Sequence, residues 1–239
     1  MADPDAYICG GYYLVKRIVR PRGVSELIPD TLLTLSNCFT DVAPGDWAVQ
    51  GYNYDEAARA EEAAKFGILA SAVPQLVALM SRELGTQHSN AFPTLSVAQS
   101  FYGSCGNKEG VWLLGIGLDP SLLPSLEAQR DDDINHGYGL MERVELKQPL
   151  ERGGKALGYE PLGFEGTSFH SWLCHNVPEE AAKEFGIRPN RHGLIESFED
   201  AVRVTKHLKS TGAEPAIWAP WLVVRYGPEE EPSRGDGQA

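Results

Sequence analysis

The sequence is poor in cysteine and has no framework in which to use it. Cys9, Cys38, Cys105 and Cys174 are the four in 239 residues, widely spaced and with no C-x-x-C pair. Neither a disulfide-stapled fold nor a zinc ribbon is therefore expected, and the thiols should be free. No apolar run approaches the roughly 20 residues that cross a bilayer. The first residues, Met1-Ala2-Asp3-Pro4-Asp5, offer neither a basic stretch nor an apolar one, so no signal peptide is visible. A cytoplasmic location with no membrane partner is expected. Positive charge is also scarce: 21 basic residues stand against 33 acidic ones, for a net charge of −12. Such a surface repels phosphate backbones and argues against a nucleic-acid partner. The best basic cluster, Lys16, Arg17, Arg20 and Arg22, is short and lies on a strand-like segment.

What is present suits a globular core. The chain is 42% hydrophobic and 9% aromatic, enough to fold without a metal or disulfide staple, and its 23% of charged residues is ordinary. The expected fold class is α+β. Residues 1–226 should form a single mixed domain, with a mostly antiparallel sheet and flanking helices, and a subdivision near 120–155 is left open. Residues 227–239, rich in Pro, Gly and Glu, read as a disordered tail.

Residues 6–19 are aromatic and β-branched and predict a strand with a bend at Gly10-Gly11. Residues 31–39 predict a shorter one. Asp55 should cap a helix running toward Leu84, kinked or split at Pro74. Residues 95–101 predict a short helix. Residues 111–118 are a nearly continuous apolar run and the best central strand. Residues 121–129 predict a helix and residues 157–165 a strand. Pro178 suits the first turn of a helix that Gly186 ends. Ser197 opens an amphipathic helix that Gly212 stops. Residues 217–226 form the last strand, where Pro220 suggests an edge position or a late start at Trp221.

Signatures of common chemistry fail one by one. The glycines of residues 111–118 do not form G-x-G-x-x-G, and Asp119-Pro120 is no phosphate cradle. Asp131-Asp132-Asp133 lacks the alternating spacing and closing Glu of a calcium loop, and is expected to be a solvated loop. The one stretch dense in reactive side chains is residues 168–176, Ser-Phe-His-Ser-Trp-Leu-Cys-His-Asn. On a helix, His170 and Cys174 would share a face at i and i+4. His192 could add a third metal ligand, but no fourth is evident, so no metal or other cofactor is expected. Cys174 could instead be a nucleophile served by His170 or His192, with Asn190 or Asn176 orienting the base, as in hydrolases or transferases that use a Cys-His pair. Against this, no catalytic cysteine signature is present, and a buried Cys174 packed with Phe169, Trp172 and Leu173 is equally natural.

The C-terminal third carries a recognisable pattern. It contains Leu157-Gly158-Tyr159-Glu160 with Leu162-Gly163-Phe164-Glu165, and then Phe169-His170-Ser171-Trp172-Leu173-Cys174. Gly186-Ile187, Asn190 and Gly193-Leu194-Ile195 follow, and then Gly212-Ala213-Glu214-Pro215 with Trp218-Ala219-Pro220-Trp221. On these residues the chain resembles a family of uncharacterised bacterial cytosolic proteins. That resemblance implies no activity and no catalytic residues. In size and acidity the chain is also similar to immunity proteins of bacterial toxin systems, which implies a non-enzymatic role against a basic toxin domain. The candidate binding set is Trp172, Trp218 and Trp221, an aromatic cluster, with His170 and Glu214 beside it.

Overall fold

In the computed structural model, residues 3–84, 91–129, 140–165, 168–174, 177–212 and 214–227 are described. The Asp131-Asp132-Asp133 loop and nearly all of the tail lie outside them, as do His175 and Asn176. Strand β1 (Ile8–Lys16) carries the expected bend as a bulge, where its register against the neighbouring strand slips between Cys9 and Gly11. Gly11 has φ 126°, and a Cβ there would fall 2.3 Å from that of Ala91, so only glycine fits. β2 (Ile18–Val19) and β3 (Thr31–Leu32) form a small separate ribbon. Residues 33–39 do not continue β3 as the sequence predicted. Thr34, Ser36 and Asn37 turn their polar side chains to local and distant partners instead. β4 (Val42–Ala43) then pairs with β1.

The helices follow their start signals. Asp55 caps α1 (Glu56–Ala64), its carboxylate accepting the Ala58 N–H at 2.7 Å. The first helix ends well before Pro74, so this proline lies in the first turn of α2 (Val73–Leu84), where its missing N–H is harmless. α3 (Leu95–Gly103) leads into β5 (Val111–Leu118), and α4 (Leu123–Glu127) and α5 (Leu140–Glu145) follow. β6 (Lys155–Glu165), β7 (Ser168–Ser171), α6 (Val177–Phe185), α7 (Phe198–Thr211) and β8 (Ile217–Tyr226) complete the chain.

Six strands form one sheet in the order β4-β1-β5-β8-β6-β7, every pair antiparallel. With the flanking helices this is a mixed α+β domain. β8 is central, not an edge strand, and the register explains how it holds Pro220. Pro220 faces Pro161 across the β6–β8 pair, and β5 ends opposite Trp221. The Pro161 carbonyl points to the other side of β6, where it accepts the Trp172 N–H at 3.1 Å. The missing Pro161 N–H points the same way, so neither proline breaks a β6–β8 hydrogen bond.

Both faces of the sheet are buried. On one, Tyr12, Leu14, Leu113, Leu222 and Val224 meet side chains of α1, α2, α3, α6 and α7. On the other, the alternate residues Tyr13, Val15, Leu114, Ile116, Trp221 and Val223 meet α4, α5 and residues 33–35. The sheet curls around this second face. Tyr13 of β1 reaches Phe169 of β7 edge to face, with ring centroids 5.6 Å apart. The two edge strands, β4 and β7, thus approach each other, and residues 33–40 fill the seam between them. No helix among the described residues is long and apolar enough to cross a membrane.

Candidate functional site

The seam is where the polar chemistry gathers. Asn37 is clipped to β7 twice: its N–H donates to the Phe169 carbonyl at 3.1 Å, and its side-chain oxygen accepts the Phe169 N–H at 2.8 Å. This places the next residue, Cys38, beside His170, with Sγ 3.9 Å from Nδ1. The other ring nitrogen, Nε2, lies 3.4 Å from a carboxylate oxygen of Glu165 on β6. Cys38 is exposed, whereas the His170 side chain is only 16% exposed. A pocket of about 140 Å³ opens beside them, lined by Asn37, Val42, Pro44, Gly45, Asp46, Ser168 and Phe169.

Beneath the seam lies a buried acid. Alternation along β6 turns Tyr159 to one face of the sheet and Glu160 to the other. Glu160 is wholly buried there, across from Trp221. Its carboxylate accepts the Thr34 hydroxyl, the Ser171 hydroxyl at 2.7 Å and the Leu35 N–H at 3.2 Å. Burial pushes its pKa up to about 7, against the opposing pull of these three donors. One carboxyl therefore ties the seam loop to β6 and to β7.

The residues singled out from sequence are distributed differently from expectation. Residues 168–171 are a strand and residues 172–174 a turn, so His170 and Cys174 do not share a helical face. His170 faces Cys38 instead. Cys174 is buried, and burial raises its thiol to about 11, with the Ser36 hydroxyl and the Cys38 thiol as its side-chain neighbours. The His192 ring stands edge-on to Trp112 and its Nε2 meets Arg191, while its carbonyl accepts the Leu33 N–H at 2.9 Å. Asn190 is a loop brace, donating to the Leu157 carbonyl and accepting the N–H groups of His192 and Leu194. Among the described residues, Cys174 thus meets Ser36 and Cys38 rather than His170 or His192.

The tryptophan cluster is likewise no exposed face. Trp172 and Trp221 are fully buried and Trp218 is 2% exposed. The indole N–H of Trp172 donates to the Gly193 carbonyl, and that of Trp218 to Glu214. They fill the core because large rings gain most by leaving water, which removes them as partner contacts. Glu214 acts here through its backbone carbonyl, which also accepts the Ala216 N–H.

Sequence reasoning missed Cys38, Glu165, Glu160 and Thr34. Cys38 and His170 are 132 residues apart, and no local spacing announces their meeting. Among the described residues, no group of three or more His, Cys, Asp or Glu side chains is arranged to hold a metal ion. Comparison with protein-family models, with curated proteins and with solved structures finds no match to this chain.

Proposed function

We propose that this chain is a non-enzymatic binding protein that neutralises a basic partner, as bacterial immunity proteins neutralise their cognate toxins. The observation that carries the reading is the charge arrangement of residues 41–62. They hold Asp41, Asp46, Asp55, Glu56, Glu61 and Glu62 against a single cation, Arg59. Arg59 is turned inward, its guanidinium donating to the carbonyls of Trp47, Val49 and Tyr52. The next cation, Lys65, is tied to Asp41 at 3.5 Å and to Glu62 at 2.9 Å. Asp55, Glu56 and Glu61 remain exposed, with no ion pair among the described residues. Tyr54, 37% exposed, stands at the head of α1 beside them and supplies an aromatic anchor. A negative face with an aromatic at its border steers and then holds a basic surface.

The test uses the whole chain as bait in a lysate of the cell that encodes it, together with a Glu56→Lys, Glu61→Lys variant. The wild type is expected to retain a basic protein encoded beside its own gene. The double variant should bind it at least about tenfold more weakly, mainly through slower association. Equal retention by both chains would overturn the reading.

A further inference from the structure

We propose that Cys38 and Cys174 form a reversible dithiol–disulfide pair, in which Cys38 is the thiol that meets a hydroperoxide first and His170 is its base. The proposal is independent of partner binding. It rests on four features of the seam. Cys38 is the exposed thiol, whereas Cys9, Cys105 and Cys174 are buried. The clip between Asn37 and Phe169 holds it against Nδ1 of His170. Glu165 faces Nε2, so a proton held there leaves Nδ1 as the acceptor toward sulfur. The Ser171–Cys174 turn, closed by the Cys174 N–H on the Ser171 carbonyl at 3.0 Å, brings a second thiol back to the same sulfur.

The backbone around Cys38 selects between chemistries. Acyl transfer needs free N–H groups to hold a developing oxyanion. Here the N–H groups of Asn37, Cys38, Phe39 and Thr40 are all committed, to the Phe169 carbonyl, the Ser36 hydroxyl and the Ser36 carbonyl. Two-electron oxidation of sulfur needs no such hole. His170 takes the thiol proton, and the Cys38 thiolate attacks one peroxide oxygen. The O–O bond breaks, and the departing oxygen takes up a proton to leave as water or an alcohol. Cys38 is now a sulfenic acid, oxidised by two electrons. The Cys174 sulfur then attacks the Cys38 sulfur, an S–S bond forms, and hydroxide leaves with the Cys174 proton as water. Burial keeps Cys174 protonated, so it does not compete with Cys38 for the peroxide.

The experiment treats the reduced full-length chain with equimolar hydrogen peroxide and maps its peptides without reduction. The expected product is a Cys38–Cys174 cross-link with the loss of two hydrogens, while Cys9 and Cys105 stay as thiols. Cys174→Ser should stop at the sulfenic acid and give a dimedone adduct on Cys38. His170→Ala and Glu165→Gln should both slow the loss of the Cys38 thiol, the former by at least about tenfold, since the base sets the thiolate supply. Circular dichroism on each variant distinguishes a lost base from a lost fold. A folded His170→Ala chain that oxidises at the wild-type rate would overturn the assignment of the base. Absence of the 38–174 cross-link in the wild type would overturn the pair.

Discussion

Along β5 every residue from Val111 to Leu118 is buried and uncharged, whereas two strands away β6 buries a carboxylate beneath a loop. The centre of the sheet is held by non-directional contact, which tolerates rearrangement and changes little with pH. The seam is held by a few directional bonds that converge on Glu160, and those depend on protonation. The two regions share the inner core, since Trp221 opposite Glu160 belongs to the same cluster as Leu114 and Ile116. A substitution at either place should therefore unfold the whole, but only one of them should do so in a pH-dependent way.

The largest expected effect lies in the centre. Leu114 is fully buried on β5. Leu114→Ala should destabilise the protein by about 2–5 kcal/mol, through lost transfer energy and the cavity left behind. Urea unfolding should give this loss equally at pH 5 and pH 8. A value that changed markedly between them would dissolve the contrast between the regions.

The centre was also the part most legible in the sequence. A strand buried on both faces must be apolar throughout, and residues 111–118 are. Caps were legible for the same local reason: Asp55 and Ser197 each lie three residues before the N–H they accept. Pro220 misled because its tolerance depends on Pro161, 59 positions away in the chain and opposite it in the sheet. The seam was illegible. Thr34, Cys38, Glu160 and His170 have no common spacing, and an acid within an otherwise ordinary strand gives no sign of its burial. Residues 33–39 had strand-like composition, but their bonds to Glu160 and Phe169 draw them away from the β2–β3 ribbon.

The next effect, about 3 kcal/mol, belongs to Glu160 and carries a sign. Its pKa rises from 4.5 to about 7 on folding. The folded state thus favours the protonated form, and this contribution is fully present below about pH 4.5. It is lost as pH rises through about 7. Glu160→Gln removes the titration. The stability of the wild type relative to this variant should fall by about 3 kcal/mol between pH 4.5 and pH 8, measured by urea unfolding at each pH. A difference that stays constant would mean that the carboxylate is not penalised by burial.

A smaller effect tests whether β6 needs its bulge. The register of β6 against β8 slips between Ala156 and Gly158, where φ is 140°. A Cβ at Gly158 would sit 2.8 Å from the Ile195 carbonyl oxygen. Gly158→Ala should cost about 1–3 kcal/mol through backbone strain and a displaced carbonyl. The loss should be equal at pH 5 and pH 8, because no titrating group is touched. In this respect β6 should behave like the centre at one end and like the seam at the other.

The smallest effect divides the seam itself. The Ser171 hydroxyl donates to Glu160 at 2.7 Å and accepts the Leu173 N–H at 3.2 Å. Ser171→Ala removes both bonds. Loss of the acceptor does not depend on pH and leaves a buried N–H without its partner. Loss of the donor matters most when Glu160 is ionised, because a donor stabilises the charged form. The Glu160 pKa should move further up in the variant, and the destabilisation should grow by about 1 kcal/mol from pH 5 to pH 8. Equal losses at the two pH values would place Ser171 with the centre, as a turn-forming residue whose bond to Glu160 contributes nothing.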